Sequence, residues 1–379
     1  MTSRRRSRSL NERELRLWRV GRTLALTFAA AVLVAGGVFY GLVVLLDFQE
    51  IDTTAKLDAK TLFDLVKLSF GVVAGAGALV ALVVAYRRQR VDEAGAHREA
   101  TRLHTERFSQ AVDKLGSDSP AVRLGGVHAL AGLADDAPDN NLRQTCIDVL
   151  CAYLQLPYTP DPGNDPTHQD EHHHYLALRK VRHTILRLIS DHYQRPRETH
   201  RSWQGCDFDL DGVTIDCDMD FSGATFSDGL VSFGGATFSD GLVSFGGATF
   251  SGGMVFFGGA TFSGASVYFE DATFSGTMVR FDRATFSGGY TNFGGATFSG
   301  GTVFFGGAVF SGGTVDFNGA AFSSETVYFD DLTDRATFSG ARVSFRNASG
   351  SAPNGLLATV GTPVPAEIHF PSIWLPPVP

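Results

Sequence analysis

The residues best suited to chemistry lie in the first 220 positions of this 379-residue chain. His168, Glu171, His172, His173 and His174 form a run of metal-ligand types, and Cys146, Cys151, Cys206 and Cys217 are the available thiols. Neither set has the spacing its chemistry needs. Consecutive histidines on a helix point in different directions, because only residues three or four apart share a face. No second cluster lies nearby in sequence, so the run reads as a solvated helix start. The cysteines form no C-x-x-C pair, which argues against zinc or a disulfide scaffold, and free thiols suit a reducing compartment. They read as small buried hydrophobes. A G-x-S-x-G elbow, a Walker loop and a Rossmann fingerprint in strand–helix context are all absent. The reading is therefore no catalytic residue, no metal, no cofactor and no enzyme.

The elements that would position these residues are helical from Ala94 to about Gln194. One segment runs Ala94–Leu115. Ser119-Pro120 then supplies an N-cap and a proline at the first helical position. The stretch Pro120–Ala134 has apolar residues at three-to-four spacing and resembles one helix of a HEAT-type repeat. Asp139 can cap a third helix, reaching about Leu156. After a loop rich in Pro, Asp and Gly, a fourth helix falls near Glu171–Gln194.

Two apolar stretches precede this region, at 24–46 and 65–86. Each reaches the roughly 20 residues that span a bilayer as a helix. Eight arginines precede the first, and Arg87, Arg88 and Arg90 follow the second. The connecting residues 47–64 are acidic on balance. Positive flanks stay on the cytoplasmic side, so the expectation is a two-span hairpin at 24–86 after a basic cytoplasmic N-terminus at 1–23. Everything after Arg87 would then be cytoplasmic, at the plasma membrane. Gly37/Gly41 and Gly71/Gly75 form G-x-x-x-G pairs that could pack membrane helices together.

The C-terminal half is a repeat. Phe226, Phe238, Phe250 and their successors to Phe322 recur every 12 residues. A second phenylalanine column (Phe221 to Phe329), an alanine column (Ala224 to Ala320) and a valine column (Val231 to Val327, with Thr291 the exception) keep the same period. Within a unit, Val and Phe alternate across one residue, and so do Ala and Phe. That is strand alternation, with both members of each pair on one side. Gly-Gly and Ser-Gly steps between the pairs suit corners. The unit is two five-residue sides plus two extra residues at one corner.

Two five-residue sides with inward first and third positions resemble the pentapeptide-repeat family, from about Phe208 to Phe345. Ala236–Asp240 (ATFSD) matches the family's A-(D/N)-L-x-x pattern with Phe at the centre. The resemblance implies a right-handed, four-sided parallel β-helix. Two departures matter: Phe replaces Leu, and the unit has 12 residues rather than 10. A coil then holds two units, and about eleven units make five or so coils. A four-residue insertion near Leu332–Arg335 should bulge from a corner and leave the coil intact. The expected fold class is thus mixed: membrane hairpin, cytoplasmic α-helical region at 87–200, β-helix at 201–346, and a tail at 347–379 whose His369–Leu375 segment folds back as a cap.

If the core takes the repeated residues, any specificity lies outside. With two units per coil, Phe256, Arg280, Phe304 and Tyr328 stack on one side as a ladder, the candidate interaction surface. Exposed aromatics in a row mark such surfaces. Some pentapeptide-repeat proteins mimic DNA with rows of carboxylates. Here Phe221–Ala320 holds six acids against Arg280 and Arg283, and acids concentrate instead at Asp207–Asp220. No nucleic acid is expected. The leading expectation is a membrane-anchored scaffold for an unknown protein partner. A sensor or regulator working through the helical region is the alternative, and a DNA-mimic inhibitor is less favoured. The lipid bilayer and self-association through membrane helices or β-helix ends complete the expected contacts.

Overall fold

The computed structural model describes residues 26, 28–30, 32–34, 36–37, 40, 59–158, 161–163, 165–323, 326–330 and 334–375. They divide into two compact units, Met1–Glu99 and Ala100–Pro379.

In the first unit the expected span at 24–46 and the loop at 47–64 lie mostly outside the described residues. The stretch 65–86 falls within helix α1, Ala59–Leu115. The helix expected to begin at Ala94 is therefore not separate. With no proline between Ala59 and Leu115, nothing stops the first helix before the second would begin. Among the described residues no helix is long and apolar enough to cross a membrane. The two-span hairpin is not supported there. A Cβ at Gly71 or Gly75 would meet open space, so this G-x-x-x-G pair has no packing partner among the described residues.

The second unit joins a small helical bundle to a β-solenoid. Helix α2 spans Pro120–Asp135, with proline in its first turn; Ser119 takes the extended cap conformation, but its side chain makes no cap bond. Helix α3, Asn140–Gln155, is capped as expected by Asp139, whose side chain accepts from Leu142 N–H at 2.9 Å. Helix α4 spans Gln169–Tyr193. Leu130, Ile147, Leu150, Ile185 and Ile189 from the three helices are buried together.

The solenoid follows from Phe208. One coil consists of four short strands: Thr249–Phe250, Met254–Phe256, Thr261–Phe262 and Ser266–Tyr268. Each pairs in parallel with the strand 24 residues on: Phe250 with Phe274, Val255 with Val279, Phe262 with Phe286, Val267 with Thr291. Two 12-residue units per coil and four sides are thus as expected. The stack is longer than five coils. Seven strands lie on the face that begins at Met219–Asp220 and ends at Ile368–His369. The first layer, from Phe208, lies within the predicted bounds; the layer beyond them comes from the tail, where the Phe and Ala columns are absent. The coil continues past the insertion: Phe310 still pairs with Phe338, and Asp330 and Arg335 form an antiparallel bridge.

The sharp corner is a turn such as Phe233-Gly234-Gly235-Ala236. Ala236 N–H donates to Phe233 O at 3.1 Å, and Gly235 has φ +62°. A positive φ at the third position marks a type II turn and selects glycine.

Val, Phe, Ala and Phe all point inward, and Val255, Phe257, Ala260 and Phe262 are at most 1% exposed. Phenylalanine rings stack coil on coil, as in Phe250–Phe274 (4.7 Å, 3°) and Phe257–Phe281 (4.8 Å, 3°). Each buried ring contributes on the order of 1.5–3 kcal/mol by removal from water.

Both ends of the stack are covered. At the start, Tyr193 at the end of α4 stacks on Phe226 at 4.7 Å and meets Phe208 and Phe221 edge-on. At the finish, the strand Ile368–His369 pairs beneath Arg342–Ser344. Trp374 then rests on Phe322 and Phe345 and donates from its indole to Gly350 O at 2.9 Å. The tail therefore folds back where the sequence pattern placed a cap.

Candidate interaction surface

The titratable clusters take structural roles. His172 pairs with Asp161 at 2.7 Å, His168 lies beside the Thr167 hydroxyl at 3.0 Å, and His173 is exposed. Among the described residues no group of three or more His, Cys, Asp or Glu side chains could hold a metal ion. Cys146 Sγ lies 3.8 Å from His104 Nε2, a pair invisible in sequence across 42 positions. Burial pushes the Cys146 thiol up to about 11, and burial also lowers the pKa of His104. Both groups are neutral at pH 7, so the contact is packing and not an activated thiolate. Burial likewise raises Cys151 and Cys217 to about 12 and Cys206 to about 11.

The acidic residues of the first coil are engaged by the fold itself. Deeper in the stack, corner N–H groups donate to the preceding coil: Met254 to Gly229 O and Ser266 to Gly241 O. Between the first two coils, first-coil carboxylates stand in for such carbonyls. Leu230 N–H donates to Asp207 Oδ1 at 2.7 Å and Leu242 N–H to Asp218 Oδ1 at 2.8 Å. Asp211 Oδ1 accepts from Gly234 N–H at 2.7 Å. These carboxylates satisfy second-coil backbone donors across the first inter-coil step. Asp216 accepts from Arg179 at 2.6 Å and from His183 at 2.7 Å, tying α4 to the coil. Asp228 pairs with Arg197. The concentration of acids at 207–220 is thus explained by capping and docking.

A second buried node joins the helices to the solenoid. Asp135, at the end of α2, accepts from the Trp203 indole at 3.1 Å and faces His192 Nε2 at 3.3 Å and Arg195 at 3.5 Å. The His192 and Trp203 rings stack at 4.1 Å. Nothing in the local sequence marks Asp135 for this role, because its partners lie 57 to 68 residues away.

What remains outside the core and its caps is the outward side of one face. Parallel register sets Ser232, Phe256, Arg280, Phe304 and Tyr328 in one column. The Phe304 and Tyr328 rings stack at 5.5 Å, and the Arg280 guanidinium lies 6.0 Å from the Phe304 centroid. Arg280 also pairs with Asp282 at 2.7 Å. All four predicted ladder residues are half-buried and open to solvent on one side. Sequence reading missed the neighbouring column. The residue before each inward Val also points out, by the same alternation. That column places Met254 in register with Met278, 46% and 41% exposed. Met254, Met278, Phe256, Phe304 and Tyr328 together make an apolar patch around a neutralised Arg280. The corresponding position on the opposite face carries Ser244, Tyr268, Asn292 and Asp316, a mixed polar column.

The four-sided coil, with inward phenylalanines five residues apart at each sharp corner, is consistent with the pentapeptide-repeat fold. No protein-family model, curated protein or solved structure matches this chain.

Proposed function

We propose that the chain is a non-enzymatic interaction scaffold whose solenoid presents the Met254/Phe256/Arg280/Phe304/Tyr328 face to a protein partner. One observation carries the reading: the repeat spends its recurring residues on the interior, and outward positions that break the pattern collect as an apolar patch on one face. Contiguous exposed apolar surface of this kind marks protein contacts. The thiols, held protonated by burial, and the first-coil acids, occupied by capping, add no competing chemistry. A double substitution Phe256→Ser/Phe304→Ser in the full chain tests the proposal. Partner recovery from the native host should fall at least tenfold with the melting temperature unchanged. Undiminished recovery overturns it.

A membrane tether belongs to the same reading and rests on sequence alone: the apolar runs 24–46 and 65–86 and their arginine flanks support it. Carbonate extraction of host membranes tests it. A chain that remains in the pellet supports the tether, and a chain released to the supernatant removes it.

A further inference from the structure

The patch has a shape as well as a composition. Its two outward columns, Met254/Met278 and Phe256/Arg280/Phe304/Tyr328, are two residues apart along each strand, hence about 7 Å apart. Rungs repeat about every 4.8 Å along the solenoid axis. The result is two parallel outward rows with a shallow strip between them running across the strands, apolar at Met254 and Met278 and continued by Thr302. An α-helix laid along it offers side chains once per turn, about every 5.4 Å, close enough to keep step over three or four rungs. Flexible methionines on one bank absorb the remaining mismatch.

Charge selects the occupant. From Asp207 onward the chain has seventeen Asp and Glu against five Arg and no Lys. Within the patch Arg280 is cancelled by Asp282, and Asp330 flanks Tyr328 two residues on. A second copy of this acidic solenoid is repelled. It would also bury only a few hundred Å² over four rungs, well short of the roughly 1,200 Å² of a stable interface. Resting on the scaffold reading above, we propose that this strip receives an amphipathic helix of a partner protein. Its apolar residues fall at i, i+3/i+4 and i+7, and its flanks are basic. This is helix-in-groove recognition, transient in keeping with the area and steered by charge.

The test places a photo-crosslinking residue at Met278 of the full-length chain in its native host, with a second probe at Thr285 on an adjacent face as control. Crosslinked peptides are identified by mass spectrometry. The expected result is a Met278 adduct on a segment with that apolar spacing and flanking Lys or Arg. Yield should drop severalfold on raising salt from 0.1 to about 0.5 M, and Phe256→Ser/Phe304→Ser should abolish it. An adduct to a second copy or to a protein segment without the pattern overturns the helix proposal and leaves the scaffold reading standing. A Met278 adduct to lipid alone, a partner captured only by the Thr285 probe, or none by either, overturns both.

Discussion

Phe257 and Phe269 meet edge to face across the interior of one coil, with centroids 5.7 Å apart and planes at 87°. They belong to opposite sides of the rectangle, and each stacks flat on its own column, Phe257 on Phe281 and Phe269 on Phe293. Every interior ring at this position is therefore both a stacking partner along the axis and a T-shaped partner across it. Phe257→Ala or Phe269→Ala should cost about 3–5 kcal/mol each. Their double substitution should show a coupling of about 0.5–1.5 kcal/mol beyond lost burial. Urea denaturation of the four members of the cycle measures this. A coupling of zero would mean that the cross-interior contact adds nothing to the stacking.

Two glycines with nearly the same backbone separate strain from space. Gly235 has φ +62°, and a Cβ there meets nothing within 4 Å; Gly289 has φ +69°, and a Cβ there falls 2.2 Å from the Ala265 carbonyl oxygen. Gly235→Ala should cost about 1 kcal/mol, the penalty of a left-handed conformation. Gly289→Ala should cost clearly more, because a backbone atom must move. Arg283 already occupies a left-handed corner with φ 56°, which shows that the fold tolerates the first kind of cost. Equal losses in thermal melts of the two variants would contradict the assignment.

The contact between α4 and the first coil has a pH signature. Burial alone would raise the Asp216 carboxyl, but hydrogen bonds from His183 and Arg179 outweigh it and hold the pKa at about 2. An unfolded aspartate titrates near 3.9. The contribution is therefore present above about pH 4 and fades as pH falls toward 2, and it is on the order of 2 kcal/mol when complete. Asp216→Asn should be less stable than the parent by about that amount at pH 5. The gap should narrow at pH 2.5. A gap independent of pH would rule out an ionic origin.

Removal of the C-terminal cap should act locally. Each coil touches only its neighbours, so damage at one end propagates weakly. Trp374→Ala removes the ring resting on Phe322 and Phe345. Hydrogen exchange should accelerate by tenfold or more at Phe345 and Val343, whose N–H groups donate to His369 O and Glu367 O in the tail. Phe257 and Phe269 amides, several coils away, should keep their protection. Uniform loss of protection would indicate all-or-none unfolding instead.

Periodicity explains what could be read in advance. Four inward columns at a 12-residue period are enough to specify strand alternation and corners; two units per coil followed from the four sides that the resemblance implies, and the register of Val255 with Val279 agrees with it. Local caps were legible too, as at Asp139. Contacts that carry no period were not. Asp135 finds Trp203 across 68 residues, and Cys146 finds His104 across 42. The phenylalanine columns end against Tyr193 at one end and Trp374 at the other, neither of which belongs to the repeat. The Phe256 ladder was visible because its members vary against a constant background. The Met254/Met278 column was overlooked although the same alternation implies it.

The 24-residue pairing also gives the solenoid a parity. A duplication of two units would lengthen the stack and leave every later side chain on its original side. A duplication of one unit would carry all later residues to the opposite side, so that Arg280, Phe304 and Tyr328 would follow Ser244 and Tyr268 rather than Phe256. The interior would not register the change, since the four inward columns are the same in both halves of a coil. Lineages of this repeat are thus free to grow in either step, but only even steps preserve a face.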